Sequence, residues 1–237
     1  MAGRRRWALA GGLLVMAGGL TAVTTWRHWA GCRPDVAAPG CLVLQDTTYG
    51  LPLWGETGHQ DALGAAATVG AAILLCLAWL VVADWARSSA ARLAMAVVVG
   101  AQPLCAAALV AVSSSAPGPA LLETGGWLLW PAEVLVVPML LGAGWILDEA
   151  PAQILRLMLL AWAVTSYGPL HHFVDFALST VQTPSAVGSP PGLGYVSAGT
   201  QIGLGVVLTL ASLLLGRGPE PEDGDERWGQ DGFTLAA

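Results

Sequence analysis

Stretches of membrane-spanning length, punctuated by arginine, constrain this chain more than any other feature. A helix needs about 20 apolar residues to cross roughly 30 Å of hydrocarbon. Six windows have that length: residues 7–26, 62–83, 93–113, 127–147, 154–177 and 196–216. Lipid offers no partner for backbone N–H and C=O groups, so a window this long is read as a helix that satisfies them internally. The composition agrees: of 237 residues, 55% are hydrophobic and only 11% charged, against about 25% charged in soluble domains. The expected fold class is all-α, a polytopic transmembrane helix bundle.

Charge placement gives the threading. All ten basic residues are Arg. Arg4, Arg5, Arg6, Arg87, Arg92, Arg156, Arg217 and Arg227 flank one set of window ends, whereas Arg27 and Arg33 flank the other. Arginine accumulates on the cytoplasmic side of membrane proteins, so six spans with both termini inside are expected. Trp7, Trp79, Trp85 and Trp145 then fall at the inner interface, and Trp26, Trp29, Trp127 and Trp130 at the outer one. The first window also has the layout of a secretory signal, but it is long and lacks a clear small-residue cleavage site, so a retained anchor is expected.

Residues 1–217 form the expected membrane domain, and 218–237 an acidic, disordered cytoplasmic tail. The net charge of −6 resides largely in that tail, at Glu220, Glu222, Asp223, Asp225, Glu226 and Asp231. It says nothing about a binding face. No basic stripe with interleaved aromatics is present, which excludes nucleic acid as the expected partner. The bilayer is the expected partner, with a lipophilic small molecule as a candidate ligand. The absence of Lys, together with abundant Ala, Gly and Arg, fits a GC-rich, bacterial genome and hence a plasma membrane.

Cys32 and Cys41 share the first outer loop, where oxidising conditions favour a disulfide. Cys76 and Cys105 lie within spans as apolar filler. Gly199 with Gly203, and Ala66 with Gly70, have the small-x-x-x-small spacing that lets membrane helices approach closely.

The ionisable residues collect at the outer ends. His28, His59, His171, His172, Asp61 and Asp175 all lie there in this threading. His171 and Asp175 are four apart and share a helix face, with Pro169 expected to kink the helix before them. Glu133 is the acid set well inside an apolar window. Six residues at 1.5 Å each place it about 9 Å below the outer end, level with His172 and Gln201. An intramembrane carboxyl finds a partner or takes up a proton, so Glu133, His171 or His172, and Gln201 are expected to meet.

Three uses fit such a cluster. One is structural, with interfacial histidines and Glu133 bonded to a neighbouring helix. The second is a metal or haem site ligated by His171 and Asp175 and completed by Glu133 or His172. The third is proton chemistry. In an enzyme on an isoprenoid- or quinone-like substrate, Glu133 is the acid, His171 or Asp175 receives a proton, and Trp130, Trp162 and Tyr167 offer aromatic faces. In a proton-coupled transporter, Glu133 loads and releases the proton, Pro131, Pro138 and Pro169 break helices, and Gln102 contacts the solute. No P-loop, Gly-x-Ser-x-Gly elbow or His-Glu-x-x-His helix occurs, and without Lys there is no Schiff base. No sequence feature identifies a cofactor or sets the oligomeric state.

The threading is tested by single cysteines placed in the 178–195 loop and in the tail. A membrane-impermeant maleimide applied to intact cells is expected to label the loop and spare the tail; the reverse pattern inverts the topology.

Overall fold

The computed structural model describes residues 2–32, 35–47, 62–83, 90–113, 133–135, 151–182, 188 and 190–214. Among them every regular element is helical: α1 (Ala2–His28), a single 3₁₀ turn (Ala30–Cys32), α2 (Pro39–Thr47), α3 (Ala62–Val82), α4 (Ala90–Ser113), α5 (Pro151–Val164), α6 (Pro169–Gln182) and α7 (Tyr195–Leu214). Residues 133–135 are also helical.

Three helices are long and apolar enough to cross a membrane: Arg4–His28, Ala62–Val82 and Tyr195–Leu214. They match the first, second and sixth windows. The third window lies in α4, whose apolar part, Ala96–Val112, is shorter and contains Pro103. The fifth differs from expectation. A single helix over 154–177 is replaced by α5 and α6, separated by a turn at residues 165–168. Pro169 is the first residue of α6, a position where its missing N–H costs nothing, so it starts a helix where a kink had been expected. The fourth window lies outside the described residues except for 133–135, as do Trp130, Pro131, Pro138, His59, Asp61 and the acidic tail.

α1 lies between α7 and α3. It runs antiparallel to α7: Arg4 donates to the carbonyls of Ser212 and Leu213 at one end, while Thr25 meets Gly194 at the other. Arg4 thereby satisfies carbonyls that the last turn of α7 leaves open, and places a cation at the negative end of its dipole. The two termini of the bundle are on one side.

Close backbone approach fixes this pair. A Cβ on Gly11 would stand 2.3 Å from Thr209 Oγ1 and 2.6 Å from the Gly205 carbonyl, and one on Gly18 would stand 2.9 Å from the Ala198 carbonyl. Gly11, Gly18 and Gly205 are therefore the contact glycines. Gly199 and Gly203 face open space among the described residues. Only dispersion and hydrogen bonds draw such helices together in lipid, so contact distance decides stability.

The core runs from Ala10, Leu14 and Ala17 of α1 through Leu75 and Trp79 of α3 to Leu160 and Val164 of α5. Trp79 is fully buried and its indole donates to the Ala96 carbonyl at 3.0 Å, joining α3 to α4. It is a packing residue and not the interfacial anchor that its position suggested. A second cluster of Trp29, Cys32, Cys41 and Leu193 covers the C-terminal end of α1 and the N-terminal end of α7. Cys32 and Cys41 are disulfide-bonded there, with Cα atoms 4.8 Å apart, and Trp29 Nε1 donates to the Leu193 carbonyl at 3.0 Å.

α6 is built inside out. Its buried face carries His171, Asp175 and Ser179, while Leu170, Phe173, Val174, Leu178 and Val181 are exposed. A soluble bundle puts its apolar stripe inward. An inward polar face and an outward apolar one are the arrangement that lipid favours.

Gly11→Ala is expected to lose about 1–3 kcal/mol by forcing the α1–α7 backbones apart. Gly12→Ala, which meets nothing within 4 Å, is expected to be neutral or to gain up to about 1 kcal/mol of helix propensity. Unfolding of the detergent-solubilised variants, followed by circular dichroism, compares the two.

Candidate functional site

The break between α5 and α6 interrupts a hydrogen-bond ladder in a low-dielectric bundle, so its backbone groups need other partners. The sequence Thr165-Ser166-Tyr167-Gly168-Pro169 supplies some of them. Thr165 donates from N and Oγ1 to the Ala161 carbonyl, and Gly168 N donates to the Thr165 carbonyl at 2.9 Å.

Other helices supply the rest. Gln102 of α4 donates from Nε2 to the Thr165 carbonyl at 2.9 Å. Gln201 of α7 donates to Ser166 Oγ at 2.6 Å, and its own Oε1 accepts from Thr21 of α1 at 3.0 Å. The Tyr167 hydroxyl donates to the Thr68 carbonyl of α3 at 3.4 Å. All of these groups are buried. Gln201, expected to meet Glu133 and a histidine, bonds the Ser166 and Thr21 side chains instead, and Gln102, expected to contact a solute, donates to the backbone of the break.

Glu133 completes the break from the other side. Its Oε2 accepts from Leu170 N at 2.6 Å, and its Oε1 accepts from His171 N at 2.9 Å. His171 Nδ1 stands 2.5 Å from the same Oε1. One proton is shared along that contact, whichever partner formally carries it. The two amides belong to the open first turn of α6, where the helix dipole favours an anion. Gly168 makes the seat possible, because a Cβ there would lie 2.3 Å from the Glu133 carboxyl carbon.

The imidazole is held on its other faces as well. The Trp162 and His171 rings lie 3.8 Å apart between centroids and 36° from parallel. His171 is 4% exposed, and its Nε2 has no hydrogen-bond partner among the described residues; the same holds for Gln102 Oε1. His172, next along the chain, is half-buried and turns toward Phe173 and Phe176, with ring centroids 6.4 Å from each.

Asp175 is four residues beyond His171 yet serves a different end. Its Oδ1 accepts from Gly194 N at 3.0 Å and Ser179 Oγ at 3.2 Å; its Oδ2 accepts from Ser197 N at 3.0 Å and Ser197 Oγ at 2.7 Å. It is the N-terminal cap of α7, supplied from α6. A carboxylate has about four acceptor sites, and all of them are taken. Gly194, at φ 109°, fits this turn as other residues would not, and a Cβ there would also meet Thr25 Oγ1 at 2.5 Å.

His171 and Asp175 thus share a helix face but not a site. Among the described residues no group of three or more His, Cys, Asp or Glu side chains gathers where a metal ion could be held. Trp130 lies outside the described residues. Gly168, Ser166, Thr165 and Ser197 are the contributors that the sequence reading passed over. The turn-forming run from Thr165 to Pro169, embedded in an apolar window, was the signal for the first three. No family profile, curated protein or solved structure matches this chain.

Asp175→Asn turns an acceptor into a donor facing the α7 amides and is expected to lose about 1–3 kcal/mol. Ser197→Ala removes only the hydroxyl bond and is expected to lose about 0.5–1.5 kcal/mol. Equal thermal midpoints for Asp175→Asn and the parent protein would contradict the cap assignment.

Proposed function

We propose that this is a six-span integral membrane protein, with both termini cytoplasmic, that handles protons at the Glu133–His171 pair, most concretely as a proton-coupled transporter. The single observation that carries the reading is the seat of Glu133. A buried carboxyl stands 2.5 Å from His171 Nδ1, and the opposite ring nitrogen has no hydrogen-bond partner among the described residues. Such an imidazole can receive a proton on one nitrogen and release one from the other. Buried ionisable residues of this kind mark ion and proton paths in membrane proteins.

The broken helix favours transport over catalysis. Discontinuous helices at the membrane midplane, with a half-helix N-terminus facing an acidic group, are a recurrent construction of transporters, and Pro103 adds a second weak point in α4. The intramembrane enzyme on a lipophilic substrate remains the second reading, supported by the Trp162 face against His171. In it the proton acceptor is His171, since Asp175 is fully engaged in capping. A metal or haem would need ligands beyond the described residues.

The remaining assignments follow the same frame. The antiparallel α1–α7 pair supports placing the two termini together, and the arginine distribution supports the cytoplasm as their side. Trp29 and the Cys32–Cys41 disulfide then lie outside, with a bacterial plasma membrane as the proposed location. α1 stays in the mature protein, because its loss would uncover the inner faces of α3 and α7.

Infrared titration of the reconstituted protein tests proton uptake directly. A protonated-carboxyl band is expected in the acid-minus-neutral difference spectrum, to vanish in Glu133→Gln and to shift in His171→Asn. A difference spectrum with no carboxyl assignable to Glu133 leaves the residue a helix cap and removes the proton reading.

A further inference from the structure

A continuous helix through residues 162 and 171 would hold their side chains apart. Nine residues along it amount to about 13.5 Å of rise and two and a half turns, which puts them on opposite faces. The break at 165–168 brings the Trp162 and His171 rings together instead, 3.8 Å apart between centroids and 36° from parallel. Trp162 is in the last turn of α5. That end is held in place: Thr165 Oγ1 reaches the Trp162 carbonyl at 3.3 Å, and Gln102 Nε2 donates to the Thr165 carbonyl at 2.9 Å. The imidazole is thus met on its face by the indole and at its Nδ1 edge by Glu133, 2.5 Å away. These two contacts differ in kind. The torsion that turns a histidine ring is soft and two-fold, so its direction is fixed by the surroundings. Functional histidines are commonly oriented through the second ring nitrogen, but His171 Nε2 has no hydrogen-bond partner among the described residues. The Nδ1 contact selects between the two half-turns of the ring, and it changes whenever a proton moves along it. The indole face fixes the ring plane and fills space that the ring would sweep in turning. It accepts a neutral imidazole and a cationic one alike.

We propose that Trp162 is the positioning residue of the Glu133–His171 pair: stacked across the helix break, its indole holds the imidazole plane so that Nδ1 stays aimed at Glu133 while the proton between them moves. The stack itself is geometry, but its purpose rests on the proton-handling reading. Straightening α5 into α6 would part the rings, so the pair is assembled only while the helix is broken.

Magnetic resonance of the reconstituted protein, carrying isotope-labelled histidine, tests this. The unaltered protein is expected to show a strongly downfield Nδ1 proton, as a short charge-assisted bond gives. It is expected to be absent from His171→Asn and shifted upfield in Glu133→Gln. Trp162→Phe retains an aromatic face and is expected to keep the resonance, whereas Trp162→Leu, equally apolar but without a face, is expected to lose it. A resonance that is missing from the unaltered protein, survives in Trp162→Leu, or disappears from Trp162→Phe as well overturns the proposal. Should Trp162→Leu fail to fold, infrared difference spectra of the unaltered protein and Trp162→Phe decide instead. An indole band that shifts on acidification, and is absent from Trp162→Phe, is expected to accompany the Glu133 carboxyl band. A carboxyl band without any indole change leaves the proton reading standing and removes the role of Trp162. With no carboxyl band, the proton reading falls and the positioning role falls with it.

Discussion

The interruption at residues 165–168 is the constraint on which the rest of the architecture depends. A continuous helix over 151–182 would satisfy its own backbone in lipid, whereas this one gives up part of its ladder between Val164 and Pro169. Each unsatisfied buried backbone group costs about 1–3 kcal/mol, a large sum in a protein with few polar side chains. The polar residues of the bundle are accordingly gathered there. Gln102, Gln201 and Glu133 come from different parts of the chain and attach to this segment or to the first turn after it, and Tyr167 reaches from the segment to Thr68 of α3. The break is also the point through which helices with little hydrophobic reason to associate are held in register.

Two carboxylates on this frame do related work with different consequences. Asp175 and Glu133 each occupy the N-terminus of a helix that is not their own. Asp175 meets four donors, two of them from Ser197, and no capacity is left for a proton or a ligand. Glu133 meets three, one of which is a titratable ring. The difference lies in the partners: serine donors complete the cap at Asp175, whereas at Glu133 one partner is an imidazole whose far nitrogen has no partner among the described residues.

Length and apolarity made α1, α3 and α7 legible, because those properties are local. Counting depth from Trp127 brought Glu133 level with His172 and Gln201, one residue from its actual partner His171, since a rise of 1.5 Å per residue gives depth but not which side chain turns inward. What depended on a partner elsewhere was not legible. Asp175 reads as a companion of His171 by spacing alone, but its donors lie about twenty residues further on. Gly199 and Gly203 have the right interval for a contact. The contact is made instead by Gly11, Gly18 and Gly205, because interval does not say which face of a helix meets another. Pro169 was rightly seen to disturb the helix. Whether it bends one helix or begins another was decided by Glu133, which stabilises the open amides of a new first turn.

That last dependence ties the proton to the fold. A carboxylate accepts all three bonds offered by Leu170 N, His171 N and His171 Nδ1. A carboxylic acid must turn one oxygen into a donor, and neither amide can receive it. Protonation of Glu133 therefore removes at least one bond from the first turn of α6 unless the imidazole, as its deprotonated Nδ1 tautomer, accepts the new O–H. The ring decides which occurs, and its state depends on what binds Nε2. A group that bonded Nε2, which has no partner among the described residues, would act through one imidazole on the seat of Glu133, and through that seat on the start of α6. Asp175, one turn further along the same helix, anchors α6 to α7 while its first turn is released. The helix is thus held at one level by a saturated carboxylate and at the other by one whose bonds depend on an imidazole.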